Sequence, residues 1–105
     1  MREFLRGAID IHILHHAAEE EIHGAWMAKE IAGHGYAISP GTLYPTLHRL
    51  EEEGLLTSRK VVEGGHARRV YKITGKGRKA LARMRAALRE LADEVDRHIL
   101  AHQGQ

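Results

Sequence analysis

Histidines are concentrated near the start of this sequence, at a spacing that can bind a metal ion. His12, His15 and His16 lie three and four residues apart, so in a helix all three lie on one side. Imidazoles at this spacing bind Zn²⁺ or a similar borderline ion, with His23 or a carboxylate completing the shell. The same histidines can equally form the rim of an interface and bond to carboxylates or water. We expect no required cofactor, and Zn²⁺ or another divalent transition metal as a candidate effector.

Basic residues dominate the second half of the chain. Residues 1–56 carry four Lys/Arg and nine Asp/Glu, whereas residues 57–105 carry twelve and five. Eight of the cations lie between Arg59 and Lys79, and only Glu63 opposes them there. A local basic segment on a chain of net charge +2 indicates a localised anionic partner such as the phosphates of DNA. The alternative is that these charges only protect a solvated strand edge.

Composition excludes several classes of protein. A chain of 105 residues forms one domain, and the absence of cysteine excludes disulfides, thiolate metal sites and thiol catalysis. No apolar run approaches the roughly 18 residues of a membrane span, and the start lacks the apolar stretch of a signal peptide. There is no HExxH motif and no obvious nucleophile–base pair, so we do not expect an enzyme. These features predict a cytoplasmic protein without membrane contact.

Three helices are predicted to position the first half of the chain. Residues 2–18 are apolar on more than one face, and residues 24–32 form a second helix that ends where Gly33 and Gly35 interrupt the pattern. Ser39 is a predicted N-cap, and Gly54 is suited to closing the third helix. Two short helices joined by such a turn form a helix-turn-helix, whose second helix lies in the major groove. Trp26 is predicted to anchor the core or a dimer interface, or to line a small-molecule pocket.

The third helix has a buried face and an outward face. Leu43, Leu47 and Leu50 recur at helical spacing and are assigned to the core. On the outward side Arg49 either reads guanine or pairs with Glu53. Pro45 removes a helical hydrogen bond, so we expect either a bend at that position or a regular helix that begins only near Thr42. The residues assigned to DNA contact on this stretch are Ser39, Thr42, Tyr44, Pro45, His48 and Arg49.

After residue 56 the pattern changes to that of a β-hairpin. Residues 57–62 and 68–73 are rich in β-branched and long side chains and flank a Gly64–Gly65 turn. A helix-turn-helix followed by a hairpin is a winged helix, and the wing is expected to contact phosphates. The wing residues assigned to DNA contact are Arg59, Lys60, Arg68, Arg69 and Lys72.

The final helix is predicted over residues 76–100, with Thr74 as its cap. Apolar residues recur along it at intervals of three and four, as in a coiled-coil seam. A helix of this length is too long for a small domain to cover, so the seam requires a second chain, most simply a two-fold copy. The predicted dimerisation residues are Leu81, Met84, Leu88, Leu91 and Val95. The fold class is therefore mainly α with a small β-hairpin: a winged helix-turn-helix domain (1–75) and a long C-terminal dimerisation helix (76–105).

One string of residues also resembles a known family. GTLYPTLHRLEEEGLL, residues 41–56, is similar to the recognition helix of the PadR family of bacterial transcriptional regulators. The resemblance extends to His23–Gly24, to RRVYKIT at residues 68–74 and to Gly77. It implies a dimeric repressor of the short subgroup with one C-terminal dimerisation helix, and it implies DNA contact at Tyr44, Pro45, Arg68 and Arg69.

The predicted function is a sequence-specific, DNA-binding regulator. Two copies related by a two-fold axis would present two recognition helices to a palindromic operator in double-stranded DNA, with about 34 Å between them. We predict a homodimeric repressor that an effector releases, with a metal ion on the N-terminal histidines as one candidate. The alternative is a helical protein–protein adaptor whose basic wing is incidental and which does not bind DNA.

Overall fold

The computed structural model describes residues 2–34 and 39–103. The elements are α1 (Arg2–Glu19), β1 (Ile22–His23), α2 (Gly24–Gly33), α3 (Pro40–Glu52), β2 (Leu56–Glu63), β3 (His66–Ile73) and α4 (Gly75–Gln103). This mainly helical architecture with a β-hairpin confirms the predicted fold class. Residues 35–38, in the turn expected between the two helices of the helix-turn-helix, lie outside the described residues.

The start of α3 differs from the prediction in one detail. Ser39 has the extended backbone of an N-cap, and its carbonyl oxygen accepts hydrogen bonds from the amides of Thr42 and Leu43, both at 2.9 Å. Its hydroxyl caps no backbone amide and instead lies 3.5 Å from the Thr42 hydroxyl. The helix continues through Pro45, which lacks the N–H of the usual i→i−4 bond. Ser39 therefore starts the helix through its backbone.

Gly54 closes the end of α3, as predicted from the sequence. Gly54 has a φ of 78°, in the left-handed region that favours glycine. The amides of Gly54 and Leu55 bond to the carbonyls of Glu51 and Leu50 at 3.0 and 2.9 Å, which is the Schellman pattern. This closure turns the chain directly into β2.

The core forms where α3 meets the other elements. Leu43, Leu47 and Leu50 are each 0% exposed, as their spacing predicted. Burial of such side chains is the main force holding α3 in place, at about 1.5–3 kcal/mol for each. The core also contains Ile13, Leu14, Ala17, Ile22, Met27, Ile31, Leu55, Leu56, Tyr71, Ile73, Ala80 and Leu81.

The predicted hairpin is present and belongs to a three-stranded antiparallel sheet. Strands β2 and β3 pair from Leu56–Ile73 at the base to Glu63–His66 at the tip. Gly64 and Gly65 have φ values of 55° and 79°, as a two-residue type I′ turn requires. Strand β1 adds to the other edge of β3 and was not predicted, because two residues are too few to show alternation.

Helix α4 begins at a cap that also joins it to the end of α3. The Thr74 hydroxyl accepts a hydrogen bond from the amide of Gly77 at 2.9 Å and donates one to the carbonyl of Gly54 at 2.6 Å. Thr74 is therefore the predicted cap. A Cβ at Gly77 would overlap the carbonyl oxygen of Leu55 and lie 2.7 Å from Cγ1 of Ile73. Close packing of α4 on the core thus depends on glycine at this position.

Only the later part of the predicted α4 seam faces solvent. Leu81 is 3% exposed and belongs to the protomer's own core, and Met84 is partly buried against that core. Assigning Leu81 to a dimer seam is therefore corrected, because its surface is already covered. Leu88, Leu91 and Val95 remain 47–52% exposed. The predicted division of the chain after residue 75 stays a prediction, although the first turns of α4 pack with the winged domain.

None of the described helices has both the length and the apolar character that a membrane span requires.

Replacing Gly77 by alanine should destabilise the fold by about 1–3 kcal/mol, because the added methyl group meets backbone that cannot move aside. Chemical denaturation of the purified protein measures this change. Gly75→Ala is the matched control, since nothing lies within 4 Å of a Cβ at Gly75. Equal midpoints for the two variants would show that α4 does not need this close approach.

Candidate nucleic-acid interface

Because its leucines are buried on one side, the opposite face of α3 is exposed to solvent. Tyr44 is 45% exposed, and Thr42, Pro45 and His48 are exposed beside it. Ser39 is exposed at the start of the helix, and the first turn contains no acidic residue. The positive end of a helix dipole attracts anions, so this end of α3 is suited to approach a phosphate.

The exposed face of α3 meets the wing at one shallow depression. Tyr44 of α3 and the wing residues Arg68 and Arg69 all line a groove of about 200 Å³. The structure thus brings together an aromatic side chain and two cations from elements far apart in sequence. This is the arrangement expected of a surface that follows a phosphate backbone.

Gly24 explains why Tyr44 can occupy this position. A Cβ at Gly24 would lie 2.9 Å from Cε1 of Tyr44, a distance that real Cβ atoms essentially never show. The glycine at the start of α2 therefore leaves room for the ring of α3. This role of Gly24 was not predicted from the sequence, because the contact with Tyr44 is tertiary.

Arg49 is held inside the protomer by two carboxylates. Its Nη2 donates to both Asp10 oxygens at 2.7 and 2.9 Å, and its Nη1 donates to Glu53 at 3.2 Å. Burial alone would lower the pKa of Arg49, but the hydrogen bond and charge of Asp10, followed by those of Glu53, raise it above its ordinary value. The structure therefore favours pairing over guanine recognition and adds Asp10, which was not predicted.

The three carboxylates at the end of α3 also have partners. The Ser58 hydroxyl donates its one hydrogen to the Glu51 carboxylate, whose two oxygens lie 2.8 and 2.9 Å away, and Glu52 pairs with His48 at 3.1 Å. Together with the Arg49–Glu53 pair, these contacts give each of the carboxylates at residues 51–53 a partner within the protomer. The first half of α3 contains no acidic residue. His48 stays exposed on the predicted face, but its ring is engaged by Glu52.

The predicted wing cations divide into paired and available groups. Arg59 donates to Glu21 at 2.8 Å, and Arg69 donates to the Ser58 hydroxyl at 3.0 Å. For Lys60, Arg68 and Lys72 we find no ion pair within the described part of the chain, and all three are exposed. These three are the wing cations most accessible to phosphate.

The register of the hairpin places two cations side by side. Lys60 pairs directly with Arg69 across β2 and β3. Like charges at directly opposed positions destabilise a sheet, so this pair is not explained by the stability of the hairpin. A bound anion would offset the repulsion, which favours phosphate contact over edge protection.

The structure corrects the predicted set of metal ligands. His15 lies between Glu19, with its Nε2 at 2.9 Å, and Arg85, whose guanidinium donates to Nδ1 at 2.7 Å. His23 lies on β1 and pairs with Glu63 of the wing at 3.2 Å. His15, three residues after His12, faces Arg85 of α4, and His23 on β1 faces Glu63 of the wing. Neither residue therefore lies with His12 and His16.

A different set of three side chains comes together between α1 and α2. His16, Glu30 and His34, here called the α1–α2 cluster, offer ligand atoms that all lie within 4.8 Å of one another. The His12 ring lies beside them, with its centroid 4.6 Å from that of His34. Burial lowers the pKa of His12, and the neighbouring His34, His16 and His15 lower it further, which favours its neutral form. Glu30 and His34 were missed because α1 and α2 meet only in the fold.

Trp26 does not belong to the core. Its side chain is 44% exposed, its ring stands edge-on to that of His16 at 5.3 Å, and it lines an open cleft of about 450 Å³ with Lys29 and Arg68. The core interpretation is therefore wrong, whereas the interface and pocket interpretations stay predictions.

A helix-turn-helix with an adjoining basic hairpin defines the winged helix-turn-helix class of DNA-binding proteins. Residues 13–83 match the family model described as "Transcriptional regulator PadR-like family". The chain belongs to the PadR-like family of transcriptional regulators, as the string at residues 41–56 predicted. Members of this family are transcriptional regulators.

Individual relatives agree with this assignment. The chain is 62% identical over 95 residues to "Transcriptional regulator Rv3488" of Mycobacterium tuberculosis, a match covering 90% of this chain and 89% of that protein. A PadR family transcriptional regulator from Eggerthella lenta has a similar crystal structure, with a TM-score of 0.80, 33% identity, and coverage of 92% of this chain and 86% of that one. A transcriptional regulator from Clostridium thermocellum gives a TM-score of 0.75 at 30% identity, over 90% and 95% of the two chains.

Replacing Gly24 by alanine should weaken DNA binding without loss of stability, because the methyl group displaces the Tyr44 ring while alanine favours a helix. Fluorescence anisotropy with a labelled duplex from upstream of the protein's own gene measures affinity, and thermal melting measures stability. Gly7→Ala in α1 is the control, since nothing lies within 4 Å of a Cβ there. If Gly24→Ala binds like Gly7→Ala, the position of the Tyr44 ring is not important for DNA.

Proposed function

We propose that this chain is a homodimeric transcriptional repressor that binds a palindromic operator in double-stranded DNA. Each protomer would place the exposed face of α3 in a major groove and its wing along the flanking phosphates. The observation that supports this most directly is the shared groove of Tyr44, Arg68 and Arg69, since it joins the recognition helix to the wing. The cytoplasmic location predicted from the sequence is part of the same proposal.

Recognition is assigned to the exposed face of α3. Thr42, Tyr44 and His48 project from the side away from the buried leucines, and of these three His48 is already paired with Glu52. Hydroxyl, phenol and imidazole groups can bond both to phosphates and to base edges. Arg49 is a positioning residue in this scheme, because it joins α3 to Asp10 of α1.

Electrostatic attraction is assigned to the wing. Lys60, Arg68 and Lys72 would supply phosphate contacts directly, whereas Arg59 would first have to leave Glu21. That pair is exposed on both sides, and exposed pairs stabilise by about 1 kcal/mol or less, so the exchange is feasible.

Dimerisation is assigned to the exposed stripe of α4. Leu88, Leu91 and Val95 step by three and four along one face of a 29-residue helix. Charged side chains surround the stripe, and the molecule is 64 Å long but only 28 and 21 Å in its other dimensions, so its own core cannot cover this face. A two-fold copy would bury the stripe against itself and fix the spacing of the two α3 helices.

A repressor of this kind needs a way to be released. The candidate effector is a divalent transition-metal ion bound through the histidines of α1, as the sequence suggested. The proximity of His16 to Glu30 and His34 supports a metal ion over an organic ligand. Family membership favours this regulatory function over the adaptor alternative, which requires no DNA contact.

Replacing Lys60 and Arg68 together by alanine should weaken binding to DNA almost uniformly across sequences. Each lost phosphate contact lowers the slope of log affinity against log salt by about 0.9, so the double variant should lose about 1.8. Anisotropy titrations on the upstream duplex between 50 and 200 mM salt measure the slope, and a reporter behind the same DNA measures repression.

Arg59→Ala is the comparison variant, and its loss should be smaller because Arg59 is already paired in the free protein. An unchanged slope in the double variant would assign the wing charges to edge protection. An absence of DNA binding by the wild-type protein at low salt would refute the proposed function itself.

Replacing Leu88 by aspartate should dissociate the dimer, because the interface would have to bury an unpaired charge. Sedimentation equilibrium at micromolar concentration measures the change in mass. Ala86→Asp is the matched control, since Ala86 is exposed on α4 but lies off the stripe at the f position of the heptad. If Leu88→Asp remains as dimeric as Ala86→Asp, the stripe is not the interface.

A further inference from the structure

Two imidazole nitrogens in the α1–α2 cluster converge on one carboxylate oxygen. Nε2 of His34 lies 3.0 Å from Oε1 of Glu30, and Nε2 of His16 lies 3.5 Å from the same oxygen. All three ligand atoms lie within 4.8 Å of one another, and no second group of this kind occurs among the side chains that the structure describes. Their side chains are 19–46% exposed, so a hydrated ion can reach them.

These distances are close to those of a bound ion. At metal–ligand distances of about 2.1 Å, the ligand atoms of a tetrahedral site are about 3.4 Å apart. The widest separation in the cluster would therefore contract by no more than about 1.4 Å. Side-chain rotation is sufficient for a movement of that size.

We infer that His16, Glu30 and His34 form a binding site for Zn²⁺ or a similar borderline divalent ion, and that the ion joins α1 to the end of α2. This inference rests on the proposed function, because it names the effector that acts on the DNA-binding dimer. It replaces the ligand set suggested by the sequence. His16 is retained, His12 lies beside the cluster, and His15 and His23 are paired elsewhere.

The donor set decides the class of ion. Two imidazole nitrogens and one carboxylate oxygen suit Zn²⁺, Co²⁺, Ni²⁺ or Cu²⁺, whereas Mg²⁺ and Ca²⁺ prefer oxygen ligands throughout. Three protein ligands leave a fourth position for water. An ion would replace the hydrogen bond between Glu30 and His34 and the ion-pair contact between Glu30 and His16.

The site lies beside the turn that leads to the recognition helix. His34 is the C-cap of α2, and only residues 35–38 separate it from Ser39 at the start of α3. Helix α1, which supplies His16, also holds α3 through Asp10 and Arg49 and contacts α4 through His15 and Arg85. An ion between α1 and α2 therefore acts on the elements that place α3 relative to the dimerisation helix.

The first experiment measures the site without DNA. Zn²⁺ is titrated against a chromophoric chelator in competition with the dimer, and the wild type should bind one ion per chain. The double variant His16→Ala/His34→Ala should bind at least tenfold more weakly, and Glu30→Gln should also bind more weakly while keeping a hydrogen-bonding side chain of the same shape. His23→Ala, which removes a histidine outside the cluster, is the control and should bind like the wild type.

Equal affinity in the double variant and the wild type would overturn the site, and so would a loss confined to His23→Ala. Circular dichroism establishes that each variant is folded. Retention of binding by Glu30→Gln together with loss in the double variant would remove Glu30 from the ligand set.

The second experiment measures coupling with the duplex from upstream of the protein's own gene. Saturating Zn²⁺ should lower the affinity of the wild type for this DNA by at least fivefold and should leave that of His16→Ala/His34→Ala unchanged. If Zn²⁺ binds without changing DNA affinity, the coupling between the metal site and DNA binding is overturned, although the metal site itself is still supported. Failure of the metal-free protein to bind any duplex would overturn the proposed function, and the chelator titration would still report on the site.

Discussion

The fixed orientation of α3 is the constraint on which the rest of this structure depends. Its three leucines are fully buried, and the Asp10–Arg49 pair fixes the helix at a point where both partners are mostly removed from solvent. Removing either member of such a pair leaves a charge poorly compensated, so the pair defines one arrangement of α1 and α3. The residues left facing outward are then those that can meet DNA.

Helix α1 is the common partner of the parts that must act together. It holds α3 through Asp10, approaches α2 through His16, and contacts α4 through His15 and the carbonyl of Ala18, to which Arg78 donates. The DNA-facing helix, the proposed dimerisation helix and the proposed metal site therefore share one rigid element. A small change at the histidines can act on both protein–DNA and protein–protein geometry without a separate sensory domain.

Local signals in the sequence were sufficient for most of the fold. The Gly54 closure, the Gly64–Gly65 turn and the Thr74 cap each depend on residues within a few positions of one another, and all three are present. Sequence patterns gave wrong predictions for residues whose packing partners are distant along the chain. The core was one of the positions predicted for Trp26, because of its size, and Leu81 was assigned to the seam because of its spacing. The packing of α1, α2 and α4 instead exposes Trp26 and covers Leu81.

By itself, the sequence determined the helices, the hairpin, the buried leucine stripe, the basic wing and the family, because periodicity, caps and turns are encoded within short stretches of chain. Only the tertiary structure decided which charged and imidazole groups meet: Arg49 with Asp10, Arg59 with Glu21, His23 with Glu63, and His16 with Glu30 and His34. The first three pairs join residues 38–40 positions apart. Such pairings follow from how whole elements pack, and no local pattern specifies which of many similar side chains will come into contact.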